Sequence, residues 1–528
     1  MRNIFQLIVF LSLIIGINEA LLAQNTQKLR VYFTNKEGST FNPYEYFDQK
    51  AIENRIKQGL PLYDLTDYPV SEMYINEVET IADSLGFSSR WFNFTTAWIS
   101  SEEQIKLLNS LSFVSKTEHI SDKLSIHYAF TEEDEPKNNT TNSLMERQLR
   151  RMGGQHFQEK GINGKGIRIA VFDGGFPDVD KHEAFAHIRD EGRIIATYDF
   201  IKKRENVYYG NSHGRATLAC IAGIWKGQAM GLATAAEFLL AKTEIGLEPY
   251  SEEENWLAAA EWADKNGANI ISSSLGYGYH RYFTSDMDGK SSLVVKAAQM
   301  AARKGILVVN SAGNEANSSW ETIITPADGD SVLAIGGISP SSDYHIHFSS
   351  LGPTADRRLK PNVSAYGEVM SVSKTDLKKA SGTSFSCPLV SGFAACVWEL
   401  NPHFNNMELF RKIEESGHLF PYYDYAHGYG VPQASFFTNK DSIGTKITFT
   451  FIEKDDKIIV EINPENFNNT EWLFNSNHLY YHYSDADGYL TEYNVIYVME
   501  KQALVLKKSA GQILRVSFRS YTDEIKMQ

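Results

Sequence analysis

The rhythm of apolar and polar positions changes twice along the 528-residue chain. From about residue 28 to 130, short strand-like and helix-like stretches mix. LRVYFT reads as a strand, and QKAIENRIKQG reads as a helix ending at Gly59. In SEMYINEVETIADSLG, Tyr74, Ile75, Val78, Ile81, Ala82 and Leu85 recur at helical spacing, and Gly86 supplies a stop. SRWFNFTTAWI reads as a strand, and SSEEQIKLLNSLSFVSKTEHI as a capped helix followed by another strand. The sum is a small α+β unit of strand-helix-strand-strand-helix-strand order. TEEDEPKNNTTNS, residues 131 to 143, has no apolar period and reads as an exposed acidic linker, where proteolytic nicking is easy.

From about residue 144, near-continuous apolar runs take over: GIRIAVFD, AEFLLAKT, NIISSSLG and GILVVNSAGN. Helical stretches such as EEENWLAAAEWADKNG and SLVVKAAQMAARKG separate them. Strands apolar on both faces, alternating with helices, predict an α/β fold: a parallel sheet with helices on both faces. Functional groups in such sheets gather past the carboxyl ends of the strands. After about residue 437 the pattern turns to strict alternation, in TKITFTFI, KIIVEI, HLYYHYS, EYNVIYVM, QALVLKK and ILRVSFRS. Turn-like stretches such as EKDD and DADG separate several of these, and an all-β domain is expected. The aromatics there, Trp472, Tyr480 and Tyr481 among them, read as core or ordinary surface rather than a ligand platform.

The first residues carry an address. Arg2 precedes an apolar run from about Ile4 to Ile17, with small residues at Ala20 and Ala23. That is the order of a secretory signal peptide, and the run is short for a membrane span. The resulting division is a signal peptide over 1–23, an α+β unit over 24–140, an α/β domain over 141–436 and an all-β domain over 437–528. The expected mature protein is exported, either secreted or held in the periplasm or at the cell surface, without a membrane span. A formal net charge of −14 argues against a nucleic-acid partner. Three cysteines, Cys220, Cys387 and Cys396, are too few for a disulfide scaffold, and no Cys/His spacing suggests zinc.

Three polar residues stand where polarity is costly. Asp173 closes the apolar run IRIAVFD. His213 sits in NSHGRATLACIAG, where Asn211 or Ser212 caps a helix of small and apolar residues. Ser384 opens SGTSFSCPLVSG, expected at the first turn of a buried helix, with Gly382 letting the chain turn and Pro388 tolerated in that turn. An acid, an imidazole and a hydroxyl are the parts of a nucleophilic triad. A fourth residue, Asn314 in NSAGNE, follows the strand GILVVNS and offers a side-chain amide to an oxyanion. Taken singly, each of these is a cap, a turn or a satisfied partial-core group. Taken together, each at its own strand end or helix start, they point to acyl transfer.

These segments resemble the signatures of the subtilisin-like serine proteases, the subtilase family. AVFDGG resembles the aspartate motif, SHGRATLACIAG the histidine motif, SGTSFSCPLVSG the serine motif and VVNSAGNE the oxyanion-asparagine segment. FSSLGPTADRRLKPNVSAYG resembles another family stretch that precedes the serine. The order Asp, His, Ser differs from that of α/β-hydrolases, as does G-T-S-F-S from their G-x-S-x-G elbow. Departures are Arg215 in place of the usual threonine, Phe385 and Ser386 after the serine, and Leu389 after the proline. None removes a catalytic atom; Arg215 places a long cation near the histidine.

The resemblance implies a serine endopeptidase with Asp173, His213, Ser384 and Asn314 as catalytic residues, acting on protein or peptide substrates. It implies that Ser274, Leu275 and Gly276 of ISSSLGYG line the pocket for the side chain before the scissile bond. It also implies that residues 24 to about 140 form an inhibitory propeptide, self-cleaved in the acidic linker. No cofactor is required. Calcium is a frequent ligand of the family, but SDMDG (285–289) and DADG (485–488) fall short of a full calcium loop and read as turns. Cys220 and Cys387 fall on helices expected to meet at the triad, with two buried thiols preferred to a bridge. Rival readings are a subtilase fold that binds without catalysis, and an esterase or transpeptidase using the same triad.

Overall fold

The computed structural model describes residues 26–120, 131–133, 140–245, 251–279, 281–439, 446–463, 477–498 and 503–527. The leader and Trp472 lie outside the described residues, as do parts of the acidic linker. Among the described residues, no helix is long and apolar enough to cross a membrane.

The centre is a seven-stranded sheet. Its strands are β1 (Arg168–Asp173), β2 (Ile194–Asp199), β3 (Glu237–Lys242), β4 (Ile270–Ser273), β5 (Leu307–Ser311), β6 (Val332–Ile338) and β7 (Val363–Tyr366). They lie in the order β7-β6-β5-β4-β1-β3-β2, and every pairing is parallel. Successive side chains of a strand point to opposite faces. Ile169 and Val171 of β1, with Phe238 and Leu240 of β3, pack with residues of α1 (His213–Ala222) and α4 (Thr383–Leu400). Ala170, Phe172, Leu239 and Ala241 pack instead with α2 (Ser251–Lys265) and α3 (Leu293–Arg303). Both faces are dry, so the strands read as unbroken apolar runs rather than alternations.

The chain passes from β3 across β1 to β4, and the strand order reverses there. Asp173 ends β1, and Ser274 and Asn314 lie past the carboxyl ends of β4 and β5, at the place where such sheets hold their ligands.

The N-terminal unit is an antiparallel sheet. Gln27–Phe33 runs between Phe94–Ile99 and Val114–Ile120, with Ser84–Ser89 at the outer edge of Phe94–Ile99. Its Trp91 and Phe94 enter the core cluster of α2 and α3. The helix expected to run to Gly86 stops at Ile81, and Leu85 and Gly86 belong to the edge strand. Tertiary pairing overrides the helical period there. The Asp83 N–H donates to the Trp98 carbonyl at 2.9 Å, and Gly86 lies flat against the Trp98 ring. The segment read as a linker is also partly built. Thr131–Glu133 pairs antiparallel with Lys379–Ser381, and Thr140–Arg150 is a helix. The pairing is made by backbone groups, which a polar sequence supplies as well as an apolar one.

The C-terminal region is all β. Phe449–Lys454, Lys457–Ile462 and Ala503–Lys507 form one sheet; Leu490–Tyr497, His478–Ser484, Ile513–Phe518 and Tyr521–Lys526 form the other. Ile458, Val460, Leu479, Leu514 and Phe518 share a buried cluster with neighbouring residues of both sheets, and Tyr480 and Tyr481 are buried. The last strand went unread in the sequence. Its hairpin turns on Arg519 and Ser520, both at positive φ, without the glycine or asparagine that normally marks such a turn.

Candidate active site

Asp173 is the last residue of β1 and is fully buried. A buried carboxylate must be bonded to remain there. The Gly174 N–H donates to Oδ1 at 2.7 Å, and the Thr217 hydroxyl donates to Oδ2 at 3.0 Å. His213 Nδ1 lies 2.9 Å from both oxygens. An ionised carboxylate only accepts, so Nδ1 carries the proton and Nε2 is the basic nitrogen.

His213 opens α1, and its backbone N–H donates to Asn211 Oδ1 at 3.0 Å. Close approach of α1 to the end of β1 depends on Gly214. A Cβ there would stand 2.3 Å from the Gly175 carbonyl oxygen and 2.9 Å from Asp173 Cβ. Thr217 stands one turn further along the same face, which brings its hydroxyl to the carboxylate. Arg215, two residues on, is held by its own partners. Its Nη1 donates to Asp178 Oδ2 at 3.1 Å and to the Pro177 carbonyl at 3.4 Å.

Ser384 is the second residue of α4, after Gly382 at φ 145° and Thr383. Helices α1 and α4 pack along each other. The ring of Phe385, next to Ser384, has its centroid 5.6 Å from that of His213. Ser384 Oγ lies 3.4 Å from the Ser274 carbonyl oxygen. Pro388 stands in the second turn, not the first as expected from the sequence. A proline there withholds the N–H that would bond the Ser384 carbonyl. Ser274 Oγ donates to that carbonyl instead, at 2.8 Å.

Asn314 is tied to the same helix start. Its Oδ1 accepts from the Thr383 N–H at 2.9 Å and from the Thr383 hydroxyl at 3.0 Å. The oxygen side of the amide is thereby fixed, and Nδ2, the donor, faces the other way. The structure therefore gathers Asp173, His213, Asn314, Ser274 and Ser384 at the carboxyl ends of the interior strands. Ser274 and Leu275 are buried, Gly276 is half-buried, and the Leu275 side chain joins the cluster under α2 and α3.

Sequence reasoning missed Thr217, whose signal was its place four residues after the histidine. It also missed the bond from Ser274 to the Ser384 carbonyl. All three cysteines are free and buried. Burial pushes the Cys220 and Cys387 thiols up to about 12, so neither is a nucleophile. The aspartates of the two acidic turns bond their own turns. Asp288 accepts from the Lys290 and Ser291 N–H groups, and Asp485 accepts from those of Asp487 and Tyr489.

The model of the Subtilase family matches residues 164–430, half of the chain. The model of the peptidase S8 propeptide domain of Bacteroidota matches residues 28–141. Subtilisin DY of Bacillus licheniformis is 27% identical over 263 residues, covering 49% of this chain and 86% of that protein. Serine protease AprX of Bacillus subtilis is 28% identical over 273 residues, covering 46% of this chain and 59% of AprX. Among solved structures, MycP1 from the ESX-1 type VII secretion system matches with a TM-score of 0.47 and 20% identity, over 61% of this chain and 92% of that one. The chain belongs to the subtilase family of serine peptidases and carries the propeptide domain that accompanies it.

Proposed function

We propose that the protein is an exported serine endopeptidase that hydrolyses peptide bonds through an acyl-enzyme. Ser384 Oγ attacks the peptide carbonyl, and His213 Nε2 takes its proton. Asp173 holds the ring in the required tautomer and stabilises the imidazolium that forms. The oxyanion is bound by Asn314 Nδ2 and by the Ser384 backbone N–H, one of the helix-start donors with no partner inside α4. His213 then protonates the leaving amine. Water, activated by the same imidazole, releases the acyl group. Protein groups and one water molecule supply every atom and charge these steps need, so the proposal draws on no cofactor.

The N-terminal unit acts as the intramolecular inhibitor. It is pinned to α2 by buried charge. Lys28 Nζ and Arg30 Nε lie 2.6 and 3.2 Å from Glu254, and Arg55 lies 2.9 Å from Asp264. Downstream, Thr131–Glu133 pairs with the strand that runs directly into Thr383 and Ser384. Self-cleavage in the acidic linker, residues 131 to 143, frees the enzyme.

The observation that carries the reading is the doubly contacted His213–Asp173 pair, buried and completed by Thr217 and Gly174. A serine-reactive fluorophosphonate tests it. Mass spectrometry places the adduct on Ser384, and a Ser384→Ala variant takes up none. Equal labelling of both proteins contradicts the reading.

A further inference from the structure

Three backbone segments converge beside Asn314. The Tyr277 N–H donates to the Thr325 carbonyl at 2.8 Å, and the Thr325 N–H donates back at 3.1 Å. The Ile324 N–H donates to the Ala312 carbonyl at 3.1 Å. Ile324 is thus laced to the segment after β4 on one side and to the segment after β5 on the other.

Its side chain fills the space those segments leave between them. A Cβ on Gly276 would stand 2.4 Å from Ile324 Cδ1, and one on Gly313 would stand 2.9 Å from Ile324 Cγ1. A Cβ on Gly278 would stand 2.7 Å from Ile324 Cγ2 and 3.3 Å from the Trp320 ring. Trp320 is itself fixed, with its Nε1 donating to the Ile323 carbonyl at 3.2 Å. Ile324 and Trp320 form one buried cluster with Met287, at 8% and 6% exposure for the first two.

The two glycine walls belong to the segments that frame the reacting atoms. Gly276 lies two residues after Ser274, which bonds Ser384; Gly313 directly precedes Asn314. A peptide with its carbonyl carbon at Ser384 Oγ and its oxygen at Asn314 must send the preceding side chain between those walls. We propose that Ile324, backed by Trp320, floors this space and restricts the peptidase to small side chains, glycine, alanine or serine, immediately before the scissile bond. The inference rests on the endopeptidase reading above. A glycine-walled slot has room for a large residue only if nothing else stands in it, and here a branched aliphatic chain does. An apolar pocket discriminates about 10- to 200-fold per methylene added or lost, so a floor raised by several carbons excludes phenylalanine and leucine decisively.

The test uses the full-length chain after self-maturation, with a peptide series varying only the residue before the cleaved bond. Wild type is expected to favour alanine over phenylalanine by about 100-fold in kcat/KM. Ile324→Gly is expected to lower that ratio at least tenfold, and Ile324→Ala to fall between the two. Fluorophosphonate titration of Ser384 counts the folded sites in each preparation, and the milder Ile324→Ala carries the comparison if the glycine variant does not fold. Ser384-dependent hydrolysis that prefers phenylalanine or leucine in wild type, or that keeps its wild-type ratio in Ile324→Ala, overturns this inference alone. Hydrolysis that survives Ser384→Ala overturns it together with the endopeptidase reading.

Discussion

Ser274 Oγ donates to the Ser384 carbonyl at 2.8 Å, at the one acceptor of the early α4 turns that Pro388 leaves open. One residue thereby satisfies a buried carbonyl and fixes the backbone at Ser384. Ser274→Ala removes the donor without adding bulk. A buried acceptor left unbonded costs about 1–3 kcal/mol. Thermal unfolding of the matured protein is expected to shift downward accordingly, with kcat falling alongside it. An unchanged melting temperature contradicts the role.

Thr217 completes the shell of Asp173. Its hydroxyl bond to the carboxylate is charge-assisted and buried, worth about 1.5–3 kcal/mol. Thr217→Val keeps the shape and loses the bond. Its kcat is expected to fall about 10- to 100-fold with KM unchanged, because the loosened carboxylate orients His213 less well. Thr217→Ser, which restores a hydroxyl, is expected to recover most of the rate. Steady-state kinetics on one peptide separates these outcomes.

Asn314 is anchored through its oxygen by Thr383. Asn314→Ala is expected to lower kcat about 10²- to 10³-fold with little change in KM, since the oxyanion exists only near the transition state. A change confined to KM would place the residue in substrate binding instead.

Glu261 of α2 sets a pH dependence on propeptide retention. The N-terminal unit buries its carboxylate, with Ser89 Oγ donating at 2.6 Å and the Trp91 N–H at 3.2 Å. Burial pushes its pKa from the ordinary 4.5 up to about 7. The docked state therefore holds its proton more tightly than the separated one. Retention is strongest below pH 4.5, weakens by up to about tenfold per unit as pH rises toward 7, and levels off above that. Gel filtration of the self-cleaved protein between pH 4 and 8 reads the retained fraction. Glu261→Gln, which cannot ionise, is expected to flatten the profile.

The layers of the α/β domain were legible in the sequence because burial on both faces leaves its mark as unbroken apolar runs, as in β1 and β5. Asp173, His213 and Ser384 stood out as candidates only in combination, each at its own strand end or helix start, since each alone reads as a cap, a turn or a partial-core group. What stayed hidden depended on partners far along the chain. Gly86 reads as a helix stop until Trp98 is seen against it. Thr131–Glu133 reads as linker because backbone pairing with Lys379–Ser381 leaves no apolar pattern. Lys28, Ser89 and Arg55 of the N-terminal unit cover Glu254, Glu261 and Asp264 of α2, contacts that no local spacing announces. Nothing along the chain sets Ile324 against Gly276 and Gly313; the fold does.

The account stands on Ser384 as the nucleophile of a peptidase. The most direct measurement is the rate of peptide hydrolysis by matured wild-type protein against Ser384→Ala, supplied with the same N-terminal cleavage so that both sites are open. The account predicts a fall of about 10⁶-fold, to the level left by binding and the oxyanion donors alone. Equal rates for the two proteins would contradict it.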